Sequence, residues 1–319
     1  MRLVYYGTPA LAVPPLERLV RDGRPPLLVV TRRDRPQGRG QRVGRSPVRE
    51  SAEALGLPVS TPARAGAPEE IERVRALQPD LLVLVAYGQI LPPALLSAAK
   101  LGALNVHFSL LPRHRGASPV QAALLAGDRE TGVTTMWMTD GLDEGPVFLA
   151  AATPIGASEN AGALGARLAE LGAECLARSL DRIERGEIER REQDASRATY
   201  APKIASGEGR LPADLGPEDL ARRVRAFTPD PGAYFELLEG RLLVTEAEPG
   251  SLDGAGIAGA AAGEVRSVHR ERGIEIALPK GSLWLRRVRP AGRREMSGFE
   301  YANGARLRPG ARLPLVEAP

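Results

Sequence analysis

Cysteine, histidine and lysine are nearly missing from this 319-residue chain, and no apolar run approaches the ~18 residues of a membrane span. Cysteine occurs once, at Cys175, so no intramolecular disulfide can form and the fold must stand on its core. The amino terminus carries only a short apolar run before a turn at Gly7, with no leader-like segment behind it. A cytoplasmic protein with no membrane contact is the expectation. The histidines are His107, His114 and His269. No Cys/His cluster offers a metal site, so no metal is expected, and a group titrating near neutrality has three places to be. Lysine appears only at Lys100, Lys203 and Lys280, so arginine carries nearly all the positive charge behind a net +4 and a pI near 9.5. That balance permits a polyanionic partner without requiring one.

What the chain does have is alternation. Apolar runs at 2–6, 26–31, 80–86, 103–108 and 133–138 read as buried strands. Between them, 15–21, 47–55, 68–77 and 119–126 read as helices, several with proline in the first turn. Strand and helix in turn predict an α/β fold, a doubly wound and mostly parallel Rossmann-like sheet, with a long helix over 162–185 closing it. A polar stretch at 184–198 follows, then a helix over 217–226 with a capping-box pattern at Gly216-Pro217-Glu218-Asp219. Beyond Pro231-Gly232 the texture changes to short strands at 233–238, 242–246, 263–268, 274–277 and 282–288. Five such strands predict a second, smaller OB-like β-barrel domain. The expected boundaries are 1–189, a linker at 190–207, and 208–319.

The chemistry gathers at Asn105-Val106-His107. Residues two apart on a strand face the same way, so Asn105 and His107 project side by side at the end of one. An amide and an imidazolium aimed at one carbonyl would stabilise a developing oxyanion. Asp143, in Leu142-Asp143-Glu144-Gly145, could hold the imidazole and accept a proton from an attacking amine. Spacing alone leaves a structural reading open, in which Asn105 caps a turn and His107 is a satisfied core residue. A second signal is the glycine-interrupted basic loop containing Arg35, Arg39, Arg42 and Arg45, which suits RNA or a solvated surface equally well. His114 reads as exposed, Met136 and Trp137 as core, and Trp284 as barrel packing.

The surrounding block closes part of this ambiguity. Asn105-x-His107-x-Ser109-Leu110-Leu111-Pro112-x-x-Arg115-Gly116-x-x-Pro119, then Thr131-Gly132-Val133-Thr134 and Leu142-Asp143-x-Gly145, resembles the folate-dependent formyltransferases. Gly7-Thr8-Pro9, Asp34-Arg35-Pro36-x-Gly38-Arg39-Gly40, Tyr87-Gly88-x-Ile90-Leu91-Pro92 and Arg225-Ala226-Phe227-x-Pro229-x-Pro231-Gly232 are similar to the methionyl-tRNA branch of that family. The resemblance implies formyl transfer from 10-formyltetrahydrofolate to the amino group of initiator methionyl-tRNA. It assigns Asn105, His107 and Asp143 as catalytic, and Ser109, Leu110, Leu111 and Pro112 as folate-contacting. It also implies that Ile90, Leu91, Thr139, Asp140, Gly141 and Leu142 wall the pterin pocket. Arg35, Arg39, Arg42 and Arg45 become the tRNA-contacting loop, with Arg39 foremost, and 208–319 a tRNA-binding domain. No obligatory protein partner is implied. The chain departs from the pattern at Ala122, Glu144 and Pro146, and at Gly209-Arg210-Leu211 after the linker. Two rivals remain: a relative acting on glycinamide ribonucleotide or an amino-sugar nucleotide, and a non-catalytic RNA-binding protein on the same scaffold.

Overall fold

A computed structural model describes residues 1–37, 42–250 and 261–316 of the chain. The chain divides into two compact units. The first comprises Met1–Pro119, Arg129–Ile155 and Gly165–Pro202; the second comprises Val120–Asp128, Gly156–Leu164 and Lys203–Pro319.

In chain order the elements begin with β1 (Leu3–Gly7), α1 (Val13–Arg21), β2 (Leu28–Val30) and the small hairpin β3 (Arg35–Gln37) and β4 (Arg42–Gly44). Then come α2 (Pro47–Ala54), β5 (Val59–Ser60), α3 (Pro68–Ala76), β6 (Leu81–Val85), α4 (Pro93–Leu96) and β7 (Ala103–His107). They are followed by β8 (Arg115–Gly116), α5 (Pro119–Ala126), β9 (Glu130–Trp137), β10 (Val147–Pro154), α6 (Ala161–Glu184) and β11 (Tyr200–Ala201). Proline opens α2, α3 and α4, where its fixed φ suits a first turn and its missing N–H costs nothing. Ser46 caps α2, its hydroxyl accepting the Arg49 N–H at 3.1 Å.

The main sheet runs β10-β9-β7-β6-β1-β2-β5. Its β5, β2, β1, β6 and β7 are mutually parallel, whereas β9 and β10 join antiparallel at one edge. The order reverses at β1, which gives the sheet a switch point between β1 and β6, the place where such sheets receive ligands. Both faces are covered, so β1 and β6 are buried at every position and their sequences are uninterrupted apolar runs. One core cluster packs Val4, Tyr6, Val30, Leu82, Leu84 and Leu95. Met136 and Trp137 are buried as expected, and so is Cys175.

The second unit contains α7 (Pro217–Phe227), β12 (Tyr234–Leu237), β13 (Gly240–Pro249), β14 (Val265–His269), β15 (Gly273–Leu278), β16 (Gly281–Pro290), β17 (Met296–Ser297) and α8 (Gly298–Gly304). Its antiparallel sheet runs β12-β13-β16-β15-β14, with β17 on β16. The carboxyl-terminal segment joins the two edges. Val265 N–H donates to Ala311 O at 2.8 Å and Leu313 N–H to Gly263 O at 2.9 Å on the β14 side; Val316 N–H donates to Glu236 O at 2.8 Å on the β12 side. An otherwise open five-strand sheet is thereby closed, which removes its free edges. The capping box expected at 216–219 does not form, because Gly216 has no side chain to accept an N–H; Ser297 and Glu300 make one at α8 instead.

Candidate active site

Asn105 and His107 share one face of β7, between Leu84 of β6 and Met136 and Thr134 of β9. His107 is the last residue of the strand and is buried. Its Nε2 lies 2.9 Å from the carbonyl oxygen of His114. A carbonyl only accepts, so Nε2 carries a proton and Nδ1 is the nitrogen left to gain or lose one. Nδ1 faces Asp143 Oδ2 at 3.6 Å. That oxygen also accepts the Gly116 N–H at 2.8 Å, which fixes the carboxylate beside the ring. Asn105 is half-buried, and its amide has no hydrogen-bond partner among the described residues.

Two connections bring these groups together. The segment after β7 folds back on itself: Thr134 Oγ1 donates to Ser109 O at 2.7 Å, and Leu111 N–H donates to Thr134 Oγ1 at 3.1 Å. Its return is pinned by the β8 and β11 pairing, with Arg115 N–H donating to Thr199 O at 2.8 Å. The second connection is the loop between β9 and β10, where Asp143 adopts φ +52°, a left-handed conformation uncommon outside glycine. At Gly145 any side chain would collide with the Trp137 carbonyl oxygen, so only glycine lets the loop close on β9.

The remaining assigned residues divide by exposure. Ser109 is fully buried and donates its hydroxyl to Arg113 O at 2.6 Å, so that side chain shapes the turn. Leu110 lies over Gly132, and Leu111 and Pro112 are half-buried. Leu91 is packed in the core cluster, whereas Ile90 is 91% exposed. Thr139 and Asp140 are exposed, Gly141 is intermediate, and Leu142 is 61% exposed. His114, expected in solvent, is buried; its N–H donates to Thr199 Oγ1 at 2.8 Å, a contact across 85 residues that local sequence does not reveal.

Of the basic loop, Arg39 lies outside the described residues; Arg35 pairs in register with Gly44, and Arg42 with Gln37, on β3 and β4. Arg45 is salt-bridged to Glu53 at 2.5 Å. Arg49 pairs with both Asp34 and Glu53 at 2.7 Å. Glu53 therefore neutralises part of the loop's stem. The departures also find places: Glu144 Oε1 lies 3.5 Å from Arg115 Nη1, and the Pro146 carbonyl accepts the Trp137 N–H at 2.9 Å. Among the described residues no group of three or more His, Cys, Asp or Glu could hold a metal ion, and no helix is long and apolar enough to cross a membrane.

A doubly wound sheet bearing this amide, imidazole and carboxylate, followed by an antiparallel unit, is matched along both parts. The family described as formyl transferase matches residues 14–180, and the formyl transferase C-terminal domain matches residues 203–306. The chain belongs to the formyl transferase family. Within it, the chain groups with the methionyl-tRNA formyltransferases: that of Halorhodospira halophila is 48% identical over 311 residues, 97% of this chain and 98% of the relative. That of Citrifermentans bemidjiense is 42% identical over 100% of this chain and 98% of its own length. Among solved structures, an N-formyltransferase from Helicobacter canadensis in complex with folinic acid and dTDP-3-aminofucose has TM-score 0.62 at 16% identity, covering 89% of this chain and 98% of that one. HypX from Aquifex aeolicus in complex with tetrahydrofolic acid has TM-score 0.60 at 17% identity, covering 95% of this chain; the chain spans about half of HypX, 47%. These two show a shared fold.

Proposed function

We infer that the chain transfers the formyl group of 10-formyltetrahydrofolate to the α-amino group of methionine esterified to initiator tRNA. The observation that carries this reading is His107, held between a carbonyl oxygen and a carboxylate beside an unpartnered Asn105 amide. Near full-length likeness to methionyl-tRNA formyltransferases supports the acceptor, and the cytoplasm, where charged tRNA meets the ribosome, is the compartment that fits.

The residues present fit a folate. Ile90 and Leu142 leave large apolar side chains in solvent, Leu142 directly beside Asp143 in the chain, as a flat heteroaromatic ring requires. When bound, the folate supplies the formyl carbon. The chain's own groups then divide the work. The Asn105 amide and a proton on His107 Nδ1 are donors for the formyl oxygen as it becomes anionic, each worth roughly 10²–10³ in rate. The acceptor amine must shed a proton as it forms its bond to carbon. Asp143, with Oδ2 anchored on the Gly116 N–H, keeps Oδ1 to receive it directly or through water. The tertiary nitrogen that leaves needs a proton in return, and His107 Nδ1 is the member of the trio suited to donate it. The Arg35, Arg39, Arg42 and Arg45 loop is assigned to the acceptor stem of the tRNA, where guanidinium groups suit phosphates.

The test offers purified protein formyl-folate with methionyl-tRNA, glycinamide ribonucleotide and an amino-sugar nucleotide in parallel. Formyl methionine on tRNA alone is expected. Formylation of either small acceptor at a comparable rate would overturn the reading.

A further inference from the structure

We propose that Gln193 is a positioning residue for Asp143, acting through the backbone of the 143–145 turn. It lies in the stretch between the two family matches, and its sequence surroundings are only polar. In the structure this stretch is a strap on the β9/β10 hairpin. Arg191 and Val147 exchange both backbone hydrogen bonds, at 2.8 and 3.0 Å, and Trp137 Nε1 donates to Glu189 O at 2.9 Å.

The strap delivers Gln193 to a left-handed point of the site, Asp143. Its Nε2 donates to Asp143 O at 2.8 Å and to Gly145 O at 2.7 Å, which uses both amide hydrogens. Its Oε1 accepts from Arg115 Nε at 3.1 Å and Nη2 at 2.9 Å. The amide therefore has a single orientation, since turning it over would set oxygen against two carbonyls and NH₂ against a guanidinium. Arg115 is itself buried, so this anchor is fixed on the opposite side. A left-handed, non-glycine residue costs free energy and persists only where its surroundings over-determine it. At Asp143 (φ +52°) the determinants are the Gln193 clamp on its own carbonyl and on that of Gly145, and the Gly116 N–H on its carboxylate. Without the clamp the turn relaxes and the carboxylate leaves the 3.6 Å approach to His107 Nδ1. Gln193 meets no substrate in this account; it sets the geometry of a group that does.

The proposal rests on the formyl-transfer reading. Its test compares Gln193→Met, which keeps length and packing without donors, and Gln193→Glu, which keeps shape but turns both donors into acceptors. Both are expected to lower kcat by about 10–100-fold, the scale of a misplacement near 1 Å, with KM for formyl-folate and for methionyl-tRNA unchanged. Melting temperature is followed alongside, and a variant that is unfolded at assay temperature is replaced by Arg115→Lys, which loosens the same clamp and should lower kcat in the same way. Wild-type kcat in the folded variants would overturn the positioning role. A raised KM with kcat intact would also overturn it, by making Gln193 a binding residue. Failure of the wild-type protein to formylate any acceptor would instead sink the functional reading itself.

Discussion

His107 is the residue on which the site turns, because its two nitrogens are treated differently. The His114 carbonyl fixes the proton on Nε2, and only Nδ1 is free for exchange with Asp143. Strand spacing makes the Asn105 and His107 pairing legible in the sequence. The burial of His114 and Arg115 is not, since both are held by Thr199, far along the chain. Cys175 gives a residue-scale check on the core. Burial pushes its thiol up to about 11, so at pH 8 it stays protonated and shielded. An aromatic disulfide reagent should leave the native protein unmodified and release one equivalent after unfolding in guanidinium; rapid release from the native state would contradict the packing. Gly145→Ala should be severe, because the new methyl collides with the Trp137 carbonyl where the Asp143 turn closes. A loss of about 1–3 kcal/mol in denaturant unfolding, with activity falling further than stability, is the expected pair of results.

Elements explain how far sequence reading reaches. The strands β1, β2, β6 and β7 are legible because a sheet covered on both faces demands continuous apolar runs, and the helices because proline marks their first turns. β10 escapes such reading: Val147–Pro154 has a six-residue apolar run, but half of that run is alanine, exposed positions alternate along it, and its β-branched signature is weak. Its pairing with β9, and the strap that carries Gln193, are long-range consequences that no local pattern encodes. At the amino end of β6, Asp80 accepts the Arg2 N–H at 2.7 Å and Lys100 Nζ at 2.8 Å, tying the starts of β1 and β6 together. The Arg2 N–H and then Lys100 hold this carboxyl below its ordinary value. A folded pKa below the unfolded one, about 3.9, stabilises the fold above that pH and ceases to do so as pH falls through the folded value. Asp80→Asn should therefore lower the melting temperature at pH 7, and the gap to wild type should close toward pH 2. A gap of constant size across that range would show that the charge is not the cause.

The molecule as a whole joins a catalytic sheet to an antiparallel unit that its terminal segment closes. The short strands make that second unit legible, but its closure depends on residues 311–316 bonding two distant edges, which composition does not forecast. A net charge of +4, with nearly all the basic residues arginine, predicts an electrostatic share in tRNA affinity. Binding of methionyl-tRNA should fall steeply between 50 and 200 mM salt, by roughly 10-fold or more. Arg39→Ala should raise KM for tRNA and leave KM for formyl-folate in place; unchanged tRNA kinetics at low and moderate salt would remove the basic loop from the interface. The most direct test of the central claim is single-turnover transfer of formyl from 10-formyltetrahydrofolate to methionyl-tRNA by wild type, Asn105→Ala, His107→Ala and Asp143→Asn, each shown to be folded. Losses of at least ~10² in rate at all three positions, with folate binding retained, are predicted. Transfer at near wild-type rate by either the His107 or the Asp143 variant would contradict the account.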